Sequence, residues 1–132
     1  MPIANGAGGY QVGNGNLDEV QFSPQAAPVA YTGTTVTLAA SDLVNGLITS
    51  TNASAVGFTL PTAALMDAAE PNVSNNGAFE FVIINLGSAS GAVTLNAGSG
   101  FTVVGSATVA ISTSGRYRAR KVADGSWVAY RV

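Results

Sequence analysis

The sequence predicts an all-β fold, a jelly-roll-like β-sandwich of about nine short strands with one short helix and an extended N-terminal arm. From residue 34 onward, apolar and polar residues alternate with a period of two, which is the pattern of half-buried strands. Turns rich in glycine and serine separate these runs at the spacing typical of sandwiches. With 132 residues, 47% of them hydrophobic, the chain can bury one core, so we expect a single domain over residues 34–132.

The first 33 residues lack this alternation. Five glycines fall within the first fifteen positions, and prolines follow at positions 24 and 28. A glycine-rich segment with few apolar residues cannot bury enough surface to order itself. We therefore interpret residues 1–33 as an extended arm that either stays mobile or is ordered by a partner, for which a neighbouring subunit is the first candidate.

Short apolar runs bounded by turn residues place the strands along the domain. The proline at position 61 ends the third run, because proline cannot donate a hydrogen bond to a strand ladder. Asp124 and Gly125 form a turn that returns the chain into the last strand. The predicted strands cover residues 34–38, 47–48, 56–60, 79–85, 93–96, 101–104, 107–111, 116–122 and 127–132.

Two helical segments interrupt the strands. The first is a single turn, which the serine at position 41 would cap and Gly46 would end in the left-handed conformation. The second is the short helix at about residues 62–70, with Thr62 as its cap and an end before the proline at position 71. We expect its apolar residues Leu65, Ala68 and Ala69 to face the core.

The segment 79–85 is the most apolar in the chain. Its odd-numbered positions are large and apolar through residue 83 and share one face, whereas Glu80, Val82 and Ile84 share the other. An outward face of a sandwich strand is normally polar, so two large apolar residues on this second face need a cover. The short helix or another subunit could supply it. We predict Val82 and Ile84 as partner contacts.

Charged residues are scarce and segregated. They make up 9% of the chain, against about 25% in an average soluble domain. Burying a charge costs far more than burying a hydroxyl or a methyl group, so a surface poor in charge is easily covered by other protein. Residues 1–115 contain six acids and no base, whereas residues 116–132 contain five bases and one acid. This composition favours a self-associating structural component and disfavours a general nucleic-acid binder, which is normally basic.

The five basic residues include a row of arginines in one predicted strand. Arg116, Arg118 and Arg120 alternate and therefore project from a single face, about 7 Å apart. We predict that this row docks on acidic groups of a partner, with Asp18 and Glu19 in a neighbouring subunit's arm as candidates. A solvated strand edge and phosphate binding are the alternative interpretations.

The sequence contains few residues that are suited to enzymatic catalysis. The chain has no histidine and no cysteine, and its one lysine, Lys121, is interpreted as a solvated residue at a strand end. Asp67 and Glu70 lie three residues apart on the short helix, where they would share a wet flank and could not oppose each other across a cleft as in a glycosidase. The sequence therefore predicts no enzyme and no cofactor or metal site.

Membrane crossing and export by the general route are not expected. The longest run of large apolar residues is far shorter than the roughly 20 that a helix needs to cross a bilayer. The first residues lack the basic and apolar segments of a secretory signal.

Several stretches, none of them catalytic, resemble tailed-phage virion proteins, in particular capsid decoration (cement) proteins and related head-fibre modules. The resemblance implies a β-rich homotrimer on the outer surface of the phage head, which clamps neighbouring subunits of the major capsid protein. It also implies assembly in the host cytoplasm and release by lysis, which requires no export signal. The resembling stretches are 42–49, 60–65, 79–85, 93–100 and 115–118.

A receptor-binding or glycan-binding module of a phage fibre or adhesin is the main alternative. Such modules usually present tryptophan or tyrosine on an exposed platform. Here Trp127 directly follows a turn, and the tyrosines are scattered along the chain. A small hydrolase, the third class, would need a second carboxylate across a cleft.

Overall fold

The computed structural model describes residues 24–87 and 91–132. Within them, strands predominate and two helices are short, so the fold is mostly β, as predicted. Residues 1–23 of the predicted arm, with Asp18 and Glu19, lie outside the described residues. In chain order the elements are β1 (Val29–Tyr31), β2 (Thr35–Thr37), α1 (Ala40–Asn45), β3 (Leu47–Ser50), β4 (Val56–Thr59), α2 (Ala63–Ala69), β5 (Ala78–Asn85), β6 (Val93–Asn96), β7 (Phe101–Val104), β8 (Thr108–Val109), β9 (Ser114–Ala123) and β10 (Ser126–Arg131).

The strands form two mixed sheets. The six-stranded sheet has the order β1-β3-β5-β9-β10-β7, and the four-stranded sheet has the order β2-β4-β6-β8. Along the first six strands the chain alternates between the sheets, and each new strand lies parallel to its predecessor in the same sheet. This part is therefore a coil in which each turn adds one strand to each sheet.

The last strands close the six-stranded sheet. β9 pairs antiparallel with both β5 and β10, and β7 pairs parallel with β10 at the edge. The predicted turn at Asp124 and Gly125 lies between β9 and β10, where Gly125 has a positive φ of 72°. The parallel pairs depart from the antiparallel pairing of a jelly roll, and the alternation in the sequence did not indicate them.

Both sheets contribute to one hydrophobic core. The ring of Tyr31 in β1 meets that of Phe58 in β4 edge-on at 5.7 Å, which joins the two sheets. Trp127 of β10 is fully buried, with the rings of Phe79 at 6.1 Å and Phe101 at 6.2 Å. Aromatic rings from both sheets thus take part in the core, and most of them belong to the larger sheet.

The structure corrects three of the predicted elements. Strand β1 falls within residues 1–33, which we had assigned to the arm, and it pairs with β3. With β1 the described residues contain ten strands, where about nine were predicted. The single helical turn is a helix of its own, α1, so there are two short helices where one was predicted.

Helix α1 begins two residues earlier than the sequence indicated. Ser41 lies inside it, and the N-cap position is Ala39, whose N–H donates to Asp42 Oδ2 at 2.9 Å. The hydroxyl of Tyr31 donates to the same oxygen, and this hydrogen bond is the main reason that the pKa of Tyr31 rises to about 12. Gly46 ends the helix with a φ of 86°, which confirms the predicted left-handed stop.

Helix α2 has the predicted bounds and cap, because Thr62 Oγ1 accepts a hydrogen bond from Leu65 N–H at 3.2 Å. Its predicted inward stripe is wrong. Leu65 is 56% exposed, and Ala68 and Ala69 are also exposed, whereas Ala63 and Met66 are buried. The helix has this orientation because Asp67, the residue after Met66, binds the β9–β10 hairpin.

Candidate functional site: the outer face of the six-stranded sheet

The pairing of β5 with β9 brings the predicted contact residues together. Val82 lies opposite Arg116 and Glu80 opposite Arg118, and residues opposite each other on paired strands share a face. Their neighbours Phe81 and Tyr117 are fully buried on the core side, so the first set faces outward. The outer face, as we use the term, consists of Leu47 of β3, Glu80, Val82 and Ile84 of β5, Arg116, Arg118 and Arg120 of β9, and Val128 and Tyr130 of β10.

The structure therefore places Val82, Ile84 and the three arginines on one surface. The other predicted contact residues, Asp18 and Glu19, lie outside the described residues. Val82 and Ile84 are half-buried by their neighbours in the sheet, and α2 does not cover them, because its buried residues pack into the core. The role of these residues in binding a partner stays a prediction.

Glu80 neutralises part of the arginine row. Arg118 donates to Glu80 Oε2 through both Nε, at 3.1 Å, and Nη2. Arg116 Nη1 lies 3.9 Å from Glu80 Oε1. The hydrogen bond from Arg118 is the main cause that lowers the pKa of the Glu80 carboxyl. Because all three side chains are well exposed, water and salt screen these pairs.

Arg120 is held by neutral groups. Its Nη1 donates to Asn76 Oδ1 at 2.7 Å and its Nη2 to the Tyr130 hydroxyl at 2.8 Å, and its guanidinium lies 5.7 Å from the centre of the Tyr130 ring. Glu80 therefore offsets part of the charge of Arg116 and Arg118, whereas Arg120 keeps its full charge beside neutral partners. Arg116 is the most available for a partner, with 61% of its side chain exposed and its nearest described carboxylate 3.9 Å away.

Apolar side chains lie directly beside these charges. Leu47, Val82 and Arg116 form one row across β3, β5 and β9. On the other side of the arginines, Val104 of β7 lies next to Tyr130 and is 46% exposed. A surface that combines exposed apolar groups with arginine has the composition of a protein interface.

Two surface grooves also lie in the described part of the chain. One, of about 440 Å³, is lined by Ile84, Leu86 and residues 112–114, which supply hydroxyl groups but no titratable side chain. The other, of about 360 Å³, lies against the start of β5 and contains a single carboxyl group, that of Glu70. Hydrolysis of a glycoside needs two opposed carboxylates, so neither lining is adequate for it.

Lys121 is not the solvated residue that the sequence indicated. It is 5% exposed, and its Nζ lies 2.9 Å from Asp124 Oδ1 and 3.4 Å from Asp67 Oδ1. The hydrogen bond to Asp124 is the main reason that its pKa rises. The signal was present in the sequence, because the three arginines at even-numbered positions face outward and residue 121 must therefore point inward.

Asp67 is likewise not on a wet flank. It accepts hydrogen bonds from the Trp127 indole N–H at 2.9 Å and from Gly125 N–H at 2.6 Å. The indole bond is the main cause that lowers the pKa of Asp67. This carboxylate ties α2 to the β9–β10 hairpin and is thereby occupied in holding the fold together.

Comparisons of the chain with protein-family models, with curated proteins and with solved structures found no match. In the described residues, 24–87 and 91–132, no group of three or more acidic side chains could hold a metal ion. Neither of the helices in this part of the chain has the length and apolar character required to cross a bilayer.

Proposed function

We propose that the chain is a viral structural protein, a capsid decoration (cement) protein. It binds the outer surface of a tailed-phage head as a homotrimer and stabilises neighbouring subunits of the major capsid protein. The outer face carries the proposal, because it is a broad sheet surface on which apolar side chains and arginines adjoin. The trimer, the virion location and the assembly in the host cytoplasm come from the resemblance of stretches such as 79–85 and 115–118 to this class.

The energetics of the outer face support docking on another protein. Full burial of a side chain such as Val82 or Ile84 contributes about 1.5 to 3 kcal/mol, and both are only half-buried in the free chain. The charged groups beside them, Glu80 and the arginines, add little affinity when exposed but fix the register and orientation of a complex. A capsid subunit that presents apolar groups beside carboxylates would complement this surface.

The fold supports the proposal as a rigid platform. We infer that the two sheets pack face to face as a sandwich, since rings from both sheets meet in one core. The large sheet then presents its outer side as one continuous surface. The proposed protein is not an enzyme, uses no cofactor, and binds neither nucleic acid nor a membrane.

A glycan-binding or receptor-binding module of a phage fibre or adhesin is the alternative. It would need an aromatic platform, but Trp127 and Tyr117 are fully buried, and Tyr130 is occupied by Arg120. Saturable binding on a glycan array would favour this alternative over capsid decoration.

Binding to phage heads tests the proposal. Heads of the encoding phage, purified without this protein, are mixed with the wild-type chain and sedimented, and the bound copies are counted against the free concentration. We expect saturable binding that Val82→Lys together with Ile84→Lys weakens on the order of tenfold or more, since each lysine would place a charge in the contact.

The control is Leu65→Lys on α2, which alters a side chain of comparable apolar character outside the outer face. It should bind as the wild type does. Absence of binding by the wild type, or equal binding by the outer-face variant, would contradict the proposal.

A further inference from the structure

We propose that the outward side of the four-stranded sheet is a contact surface between copies of this chain, which pack with this side against each other. The contact does not rest on the proposed function, since it lies on the other sheet and forms without a phage head. The threonine face, as we use the term, consists of Thr35 and Thr37 of β2, Gly57 and Thr59 of β4, Thr94 and Asn96 of β6, and Thr108 of β8.

The alternation of the strands produces the threonine face. Phe58, Leu95 and Val109 are buried in the core, so the residues next to them along each strand point outward. Gly57 and Thr59 are half-buried, and the other residues of the face are exposed. The register aligns them in two rows across the sheet, Thr35-Gly57-Thr94-Thr108 and Thr37-Thr59-Asn96.

The threonine face has no charge. None of the residues in β2, β4, β6 and β8 is ionisable. The outer face of the larger sheet has three arginines and one glutamate, a net charge of +2, and would repel a copy of itself. The threonine face meets its own copy without this repulsion, and hydroxyl groups are far less costly to desolvate than charges.

The side chains of the threonine face are complementary to themselves. A hydroxyl or an amide group both donates and accepts hydrogen bonds, whereas arginine only donates. In the described part of the chain, the threonine hydroxyls that form hydrogen bonds are those of Thr62 and Thr113, neither of which lies in this sheet. A Cβ atom added at Gly57 would lie 3.2 Å from Asn96 Nδ2, so this amide covers the one position of the face that lacks a side chain. Two identical faces therefore satisfy each other's donors and acceptors.

The small area of the threonine face determines how strongly it binds. Its two rows cross four strands, a width of about 15 Å, whereas a stable interface uses about 20 to 30 residues on each side. We therefore expect a dissociation constant on the order of a millimolar. Dilute copies separate, and copies that are held on a common surface associate, because their effective concentration reaches the millimolar range. Faces of this kind can meet in pairs or converge around a three-fold axis.

Sedimentation equilibrium of the full-length chain, from about 0.01 to 1 mM, tests this contact because the series brackets the expected dissociation constant. We expect an average mass that rises with concentration. Thr59→Lys together with Thr94→Lys should weaken the association on the order of tenfold or more, since lysines of two copies would face each other. The control is Thr51→Lys together with Thr102→Lys, which makes the same change in net charge at exposed positions outside the threonine face and should associate as the wild type does.

A concentration series of amide NMR spectra of the wild type locates the contact without any substitution. We expect shifts that move with concentration in β2, β4 and β6 and stay constant on the outer face. Circular dichroism verifies that each variant is folded. A chain that stays monomeric throughout, shifts confined to the outer face, or equal association of the two lysine variants would overturn the inference.

The two lysine variants are also mixed with phage heads, as the wild type is. Loss of head binding by Thr59→Lys with Thr94→Lys at unchanged self-association would assign the threonine face to the capsid and overturn the inference. Because sedimentation and NMR use no heads, self-association is measured independently of whether the chain binds capsids.

Discussion

At the scale of single residues, Asp67 and Lys121 hold helix α2 against the hairpin of β9 and β10. The carboxylate of Asp67 binds the indole of Trp127 and the N–H of Gly125, while Lys121 bridges it to Asp124. These contacts join α2, β9 and β10 through polar groups that are otherwise costly to bury. They support the core side of the sheet whose outer side is the candidate site.

Asp67→Asn should lower the free energy of unfolding by about 1 to 3 kcal/mol, because the amide loses the charge that faces Lys121 and one of two acceptor oxygens. Urea denaturation at pH 7 measures the difference. Glu70→Gln, on the same helix, should stay within about 0.5 kcal/mol of the wild type.

The difference in the free energy of unfolding between wild type and Asp67→Asn should depend on pH. Because folding lowers the pKa of Asp67 from its ordinary value of 3.8, its contribution is fully present above that value and is lost as the pH falls through the lower, folded pKa. The gap between wild type and Asp67→Asn should therefore narrow below about pH 4. A gap that stays constant down to pH 2 would show that the ionised carboxylate is not its source.

At the scale of elements, the rotation of α2 shows what a hydrophobic pattern can and cannot predict. Its bounds and cap follow from Thr62 and from the proline at position 71. Its orientation depends on partners that are distant in sequence, since Asp67 turns toward the hairpin and Met66 then enters the core. A short alanine-rich helix has too weak a stripe to indicate this direction.

Met66→Ala should destabilise the fold by about 2 to 5 kcal/mol, because it leaves a cavity under a fully buried side chain. Leu65→Ala should cost no more than about 0.5 kcal/mol, since Leu65 is exposed. Thermal or urea unfolding of the pair is the measurement. A larger loss for Leu65→Ala than for Met66→Ala would mean that the helix faces the core as the sequence indicated.

The strands, too, have some features that the sequence predicted and others that it did not. Alternation in the sequence predicted the bounds of β6 and β7 and the two faces of β5 and β9. It missed β1, a strand of three residues that directly follows a proline and lacks a polar alternation. Parallel and antiparallel strands have the same period, so the parallel coil of the first six strands could not be predicted.

The candidate site was predictable to the same extent. The position of each arginine and of Val82 and Ile84 on its own strand follows from parity alone. Their union on one surface follows only once β5 pairs with β9, and the pairing of Glu80 with Arg118 needs the exact register. The burial of Lys121 was available from parity but was outweighed by the general preference of lysine for water.

At the scale of the whole molecule, one side of the larger sheet builds the core and the other side remains as the outer face. Four of the twelve charged side chains of the chain lie on this face, so its apolar row supplies the gain from burial and the arginines confer an orientation on any complex.

The central claim is that the outer face is the side that meets a capsid. Electron cryomicroscopy of phage heads prepared with and without the chain tests it most directly. We expect added trimeric density at the three-fold positions, with the outer face of the six-stranded sheet against the capsid surface. Identical heads in both preparations, or bound copies that turn this face toward the solvent, would contradict it.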